Sequence, residues 1–312
     1  MQSKSTQPIV ILLGPTAVGK TGISLILAER LQGEIIVADA VQVYKYMDIG
    51  TGKPTSRERQ KVPHHLLDLV EPDEPFNAGD FSRLAQAKLE EIRERKGLPL
   101  VVGGCGLYIR ALVDGLFSGP SGLSEIRKRY QEEAKELGGE ALHKRLATID
   151  PVSACKIQPR DTFRIIRALE IYEATGKRPS EVRGVRWARR RDRSFLFIGL
   201  WRPRPSLYRL IEERIDSMIR AGFLEEVQSL LARFSADCKP FRGLGYRHMM
   251  DHLNKGCDFE KMVSLWKRDT RHYAKRQLTW FSRDDRVVWI PLEGGEAEAC
   301  GRIQALIQAE MS

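Results

Sequence analysis

Short apolar runs and longer amphipathic stretches alternate through the first third of this chain. Ile9–Leu13 and Leu98–Val102 read as buried strands, as does Glu34–Ala38, which stops at Asp39. His65–Leu69 reads as a weaker strand. Between them, Gly22–Arg30 and Phe81–Lys96 carry apolar residues at helical spacing, and Gly97 closes the second. This βα repetition predicts an α/β fold with a mostly parallel sheet and its reacting groups at the carboxyl ends of the strands.

The pattern changes over residues 119–193. No buried strand is visible there, and helical stretches are interrupted at Gly138-Gly139, Asp150-Pro151 and Gly176. Arginines and lysines are dense at Arg160–Arg167 and Arg183–Arg193. The strand pattern returns at Ser194–Trp201, followed by amphipathic helices at Leu207–Arg220, Gly222–Arg233 and Phe259–Phe281. A turn is expected at Phe241–Arg247, a last strand at Val287–Ile290 and a surface helix over Glu293–Ser312. The expected organisation is residues 1–118 as the first part of the core, 119–193 as a helical insertion, and 194–312 as core completion with C-terminal helices. A separate second domain would leave the Phe195 strand without a sheet.

The first strand runs directly into Gly14, Pro15, Thr16, Ala17, Val18, Gly19, Lys20 and Thr21, which fit the phosphate-loop pattern G-x-x-x-x-G-K-[ST] without a mismatch. The glycines let successive backbone N–H groups turn inward around an anion, and the following helix adds its positive end. Lys20 supplies a mobile charge, and the Thr21 hydroxyl can ligate Mg²⁺. The core is therefore of the P-loop NTPase-like kind. The loop identifies a polyphosphate without saying which one. Asp39, about 20 residues beyond the loop, can hold metal, bind a ribose, accept a proton or merely cap a turn.

Composition sharpens this reading. The 312 residues carry 51 Lys+Arg against 41 Asp+Glu, a formal net charge of +10 that suits a polyanionic partner. Cys105, Cys155, Cys238, Cys257 and Cys300 form no C-x-x-C pair or metal-site spacing, as expected for reduced thiols in the cytoplasm. The N-terminus reads as neither signal peptide nor anchor, and no run is long enough to span a bilayer.

Ordered segments along most of the chain carry a more specific signal. They are Gly-Pro-Thr-Ala-Val-Gly-Lys-Thr (14–21), Asp-Ala-Val-Gln-Val-Tyr (39–44), Met-Asp-Ile-Gly-Thr-Gly-Lys-Pro (47–54) and His-His-Leu-Leu-Asp (64–68). Gly-Gly-Cys-Gly-Leu-Tyr (103–108), Arg-Ala-Leu-Glu-Ile-Tyr-Glu-Ala-Thr-Gly-Lys (167–177), Gly245-Tyr246-Arg247 and the segment Arg271–Trp280 complete the set. In these the chain resembles the tRNA dimethylallyltransferase (tRNA isopentenyltransferase) family, bacterial type.

The resemblance implies transfer of a dimethylallyl group from dimethylallyl diphosphate to N6 of the adenosine 3′-adjacent to the anticodon, in tRNAs reading codons that begin with U. It implies that the phosphate loop grips the prenyl diphosphate with Mg²⁺, and that the enzyme is a monomer. Asp39 matches the general base, Arg214 the arginine that reaches the diphosphate, and Cys105 a family threonine near it. Residues Asp39, Ala40, Val41 and Gln42, Phe163, Arg164, Ile165, Ile166 and Arg167, and Arg242, Gly243, Leu244, Gly245, Tyr246 and Arg247 match segments laid against the tRNA anticodon stem-loop. Lys275 and Arg276 are further candidates for phosphate contact; Trp280 and Phe281 are expected in the core. Tyr44, Tyr108 and Tyr246 can stack or pack.

The chain departs from the family pattern at Ala40 and Cys105, each of which loses a hydroxyl, and at Arg160 and Leu210. Activity is expected with reduced diphosphate affinity or rate. Alternatives are transfer to free adenine nucleotides, a P-loop small-molecule kinase, and a non-catalytic tRNA binder.

Overall fold

The computed structural model describes residues 7–115, 124–184 and 195–311. The boundaries expected at 118/119 and 193/194, the basic stretch 183–193 and the first six residues lie outside the described set or outside its described side chains. The chain divides into two compact units, Met1–Val113 with Arg191–Ser312, and Asp114–Arg190.

The first unit is built on six strands: β1 (Ile9–Leu13), β2 (Gly33–Ala38), β3 (His64–His65), β4 (Leu98–Gly103), β5 (Phe195–Trp201) and β6 (Val287–Pro291). Their order is β3-β2-β4-β1-β5-β6, and every pairing is parallel. β1 and β4 are buried along their whole length, which is why they read as unbroken apolar runs rather than alternating ones. β6 is an edge strand with a partly exposed pattern and Pro291 at its end, where a missing N–H costs the ladder little.

The strand expected at His65–Leu69 shrinks to His64–His65. Leu66 and Asp68 take left-handed φ values of 64° and 53°, which no strand tolerates. Helix Phe259–Phe281 has the expected bounds, and Arg204–Arg220 and Phe223–Leu231 differ from expectation only at their ends. The C-terminal helix Glu296–Met311 is more than a surface helix. It buries Ala299, Cys300, Ile303 and Ile307, and its Gln304 accepts a hydrogen bond from Arg30.

In the second unit all described elements are helices, and each expected interruption does a definable job. Gly138 separates the helices Ser124–Leu137 and Gly139–Ile149 with a φ of 81°. Gly176 ends the helix Thr162–Thr175 in the left-handed conformation. Asp150 is fully buried. Its carboxylate accepts the Ser153 amide and hydroxyl and the Ser180 amide, capping the helix Pro151–Lys156 and tying back the start of the helix Pro179–Gly184. The unit has its own small core around Leu142, Leu146, Ile165 and Leu169.

Among the described residues, no helix is long and apolar enough to cross a membrane.

Candidate active site

The site lies in the first unit, beyond the carboxyl ends of β1, β2 and β4. After Leu13 the chain turns through Gly14 (φ 151°), Ala17 (φ 61°) and Gly19 (φ 113°), then enters the helix Lys20–Leu31. That helix has no side-chain N-cap, so its leading N–H groups face an anion site. Thr16, Ala17, Gly19, Lys20 and Thr21 line a cavity of about 310 Å³. Pro15 and Val18 are buried behind it, and the Val18 carbonyl accepts a hydrogen bond from Arg202 Nε at 3.0 Å. Lys20 Nζ donates to the carbonyls of Gly14 (3.0 Å) and Pro15 (2.7 Å). The Thr16 amide donates to Gln277 Oε1 at 2.9 Å.

Asp39 follows β2 directly. Its Oδ1 accepts the amides of Val41 (2.8 Å) and Gln42 (3.2 Å), so it is both the turn former and a carboxylate facing the cavity. Gln42 Nε2 and Arg214 Nη2 both donate to the Thr51 carbonyl, each at 3.1 Å. Arg214 projects from the helix Arg204–Arg220.

A second cavity, of about 580 Å³, meets the first at a shared wall of Thr16, Ala17, Asp39, Thr51, Arg214 and Tyr273. Its further lining is mixed. Ile211, Ile215, Met218 and Trp266 are apolar, Cys105 is a thiol, and Arg242, Arg247 and Arg276 are cationic. One chamber suits a polyanion, the other an apolar group and a polyanionic chain, with a carboxylate and an arginine between them.

Charge in this space is finely balanced. Burial first, then the neighbouring Arg214 charge, lowers the Lys20 ammonium from 10.5 to about 7, with Asp39 opposing. Burial pushes the Cys105 thiol up to about 11. It raises the Tyr273 phenol too, with the Asp39 charge adding to the effect.

The other expected residues divide clearly. Ala40, Val41, Arg242, Gly243, Leu244, Tyr246 and Arg247 line the larger cavity, whereas Gly245 is buried behind it. Leu210 lines the smaller one, placing an apolar side chain beside the phosphate loop. Tyr44, Tyr108 and Tyr246 are buried and packed, and Tyr246 also contributes to the wall of the larger cavity. Trp280 corrects the expectation of a core residue, for it is 44% exposed while Phe281 is buried. His64 and His65 bond separately, to the Val62 carbonyl and the Glu34 carboxylate.

In the second unit Phe163 is 75% exposed and Arg164 is exposed beside it. Ile165 and Ile166 are a correction to the expected contact segment. They face inward, 0% and 6% exposed, because they supply the apolar stripe of their helix. Arg167 pairs with buried Glu170 at 3.0 Å, and Arg127 also binds that carboxylate.

Two contributors were not foreseen. Gln277 is buried on the otherwise apolar face of the helix Phe259–Phe281, and a polar residue interrupting such a stripe was the available signal. Glu226 carried none, reading as an ordinary acid in the first turn of a helix.

The chain matches the family described as IPP transferase over residues 42–284. It is 46% identical over 297 residues to a tRNA dimethylallyltransferase of Desulfitobacterium hafniense, covering 93% of each chain. It is 48% identical over 286 residues to tRNA dimethylallyltransferase 1 of Pelobacter propionicus, covering 90% of this chain and 92% of the relative. The crystal structure of a full-length tRNA isopentenylpyrophosphate transferase from Bacillus halodurans superposes with a TM-score of 0.71 at 37% identity, over 97% and 98% of the two chains. A eukaryotic dimethylallyltransferase captured acting on tRNA gives a TM-score of 0.78 at 25% identity, over 97% of this chain and 80% of that one.

Proposed function

Because the chain belongs to the tRNA dimethylallyltransferase (IPP transferase) family, we propose that it transfers a dimethylallyl group from dimethylallyl diphosphate to N6 of the adenosine 3′-adjacent to the anticodon in tRNAs reading codons that begin with U, releasing diphosphate. The observation that carries this reading is the meeting of the two cavities at Asp39 and Arg214. The donor's diphosphate occupies the chamber of the phosphate loop, and the target base enters the larger one, flipped from its stack.

An exocyclic adenine amine is a poor nucleophile because its lone pair is delocalised into the ring. Asp39 takes its proton as the C–N bond forms, leaving a neutral secondary amine and a carboxylic acid. On the other side the allylic C–O bond breaks and negative charge collects on the departing diphosphate. The phosphate-loop backbone up to Thr21, with Lys20 and Arg214, meets that charge with preorganised donors, the Thr16 and Val18 amides being held by Gln277 and the Pro15 carbonyl. Cys105 stands where a weak sulfur donor replaces a hydroxyl.

Among the described residues no group of three or more His, Cys, Asp or Glu forms a cage for a metal. Mg²⁺ keeps several waters and is bound largely by substrate phosphates, and Thr21, which lines the phosphate-loop chamber, would be its protein ligand. When bound it neutralises diphosphate charge. Gln42, in the wall of the phosphate-loop chamber with its Nε2 bound to the Thr51 carbonyl, presents its amide to a purine edge that reaches the junction of the two chambers, and Phe163, Arg164, Arg242 and Arg247 offer stacking and phosphate contacts to the anticodon stem-loop. The enzyme acts as a monomer in the cytoplasm.

Intact-mass measurement of an unmodified tRNA, incubated with protein, Mg²⁺ and dimethylallyl diphosphate, tests the proposal. The expected result is a gain of one dimethylallyl group, slowed about 10²- to 10⁴-fold by Asp39→Ala. No gain with any tRNA carrying the target adenosine, by folded protein that binds donor, overturns it.

A further inference from the structure

Glu226 lies on the helix Phe223–Leu231 and, among the described residues, is not part of either cavity wall. Its carboxylate nevertheless takes four hydrogen bonds. The amides of Asp48 (2.9 Å) and Ile49 (2.6 Å) donate to Oε2, and the amide of Gly50 (3.0 Å) and the Tyr246 hydroxyl (2.7 Å) donate to Oε1. Three consecutive backbone donors on one carboxylate make a nest whose position follows the acid.

The loop has little freedom to sit elsewhere. A Cβ on Gly50 would overlap the rings of Phe223 and Tyr246, so only glycine allows this approach. On the far side, buried Lys53 binds the Tyr44 carbonyl and the carboxylates of Asp48 and Asp68. The next residue, Thr51, offers the carbonyl that receives both Gln42 Nε2 and Arg214 Nη2. A single oxygen thus aims the side chain assigned to the purine and the one assigned to the diphosphate.

We propose that Glu226 is a positioning residue which, through the loop Asp48–Thr51, sets Arg214 and Gln42 together in their working orientations; this rests on the roles given to those two residues above. Tyr246 serves the same carboxylate. Burial and the adjacent Glu226 charge keep its phenol protonated, so it remains a donor across the working pH range.

Pyrophosphate binding by calorimetry and steady-state transfer kinetics are to be measured on wild type, Glu226→Gln, Arg214→Gln and the double variant. In Glu226→Gln one acceptor oxygen becomes an NH₂ group facing N–H donors. A misplacement of the loop transmitted to the site is expected to weaken pyrophosphate binding about tenfold and lower kcat/KM for tRNA about 10²-fold, well below the melting temperature. In the Arg214→Gln background the same change should barely alter pyrophosphate binding, since the two act as a unit.

Wild-type pyrophosphate binding and kinetics in Glu226→Gln, or effects that add fully in the double variant, overturn the proposal. Should Glu226→Gln not fold, Glu226→Asp, which keeps the charge but shortens the reach, is put through the same comparison with the same deciding outcomes. A wild type that binds pyrophosphate without prenylating tRNA overturns the proposed reaction, and the pyrophosphate deficit of the variant then decides the positioning role alone.

Discussion

Gln277 accepts the amide N–H of Thr16 at 2.9 Å, across 261 residues of chain. Its Nε2 donates to the Gly104 carbonyl at 2.9 Å, so one buried amide joins the phosphate loop to the loop that carries Cys105. Only a group with an acceptor and a donor can make this join.

Replacing Gln277 by Glu keeps the size but sets a carboxylate oxygen against the Gly104 carbonyl and adds negative charge beside the diphosphate chamber. The expected result is a donor KM raised about tenfold or more, with tRNA KM little changed, because a buried group left without its partner costs ~1–3 kcal/mol. Steady-state kinetics with each substrate varied in turn checks the split. An equal effect on both KM values counts against a role confined to the donor cradle.

The Lys20 ammonium, lowered to about 7, makes donor binding pH-dependent. A bound diphosphate favours the protonated form. Binding should therefore take up protons above pH 7 and weaken as pH rises from there, and calorimetry in buffers of different ionisation enthalpy reads the uptake directly. For stability of the empty protein the sign is the reverse. Between about 7 and 10.5 the unfolded chain holds a proton that the folded one lacks. The destabilisation caused by Lys20 is thus full below 7 and fades as pH climbs. Lys20→Met should raise the melting temperature most at the acid end of that window.

Cys105, raised to about 11, stays a neutral thiol near pH 7 and does not act as a nucleophile there. Cys105→Thr supplies a stronger hydrogen-bond donor in the lining of the larger chamber, which Asp39 also lines. A lower donor KM is expected, about fivefold for a hydrogen bond of ~1 kcal/mol. A rise in KM, or rapid inactivation of the wild type by iodoacetamide at pH 8, contradicts this view of the thiol.

How legible the site was depended on sequence distance. The phosphate loop and Asp39 act through neighbouring backbone, so a local pattern revealed them, and the buried runs of β1 and β4 fixed the sheet's centre. Gln277 and Glu226 act on backbone groups 261 and 176 to 178 residues away, and no local pattern encodes such a partner. The contact segment at Phe163–Arg167 was read as one surface although a helix turns successive residues through about 100°. Phe163 and Arg164 therefore face outward while Ile165 and Ile166 fill the core. Trp280 went wrong for the same reason, since its neighbour Phe281 holds the inward position.

The pairing of β1 with β5 also sets an order of events during synthesis. Leu12 is matched with Ile198, so the central strand has a neighbour on only one side until the strand Phe195–Trp201 has been made. Arg214 and Gln277 emerge later still. A nascent chain halted before them carries the complete phosphate-loop motif but neither of the residues that face it from beyond β5. Such a chain meets a diphosphate without the Arg214 charge and without the Gln277 bond to the Thr16 amide, so its cradle is the phosphate-loop backbone and Lys20 alone.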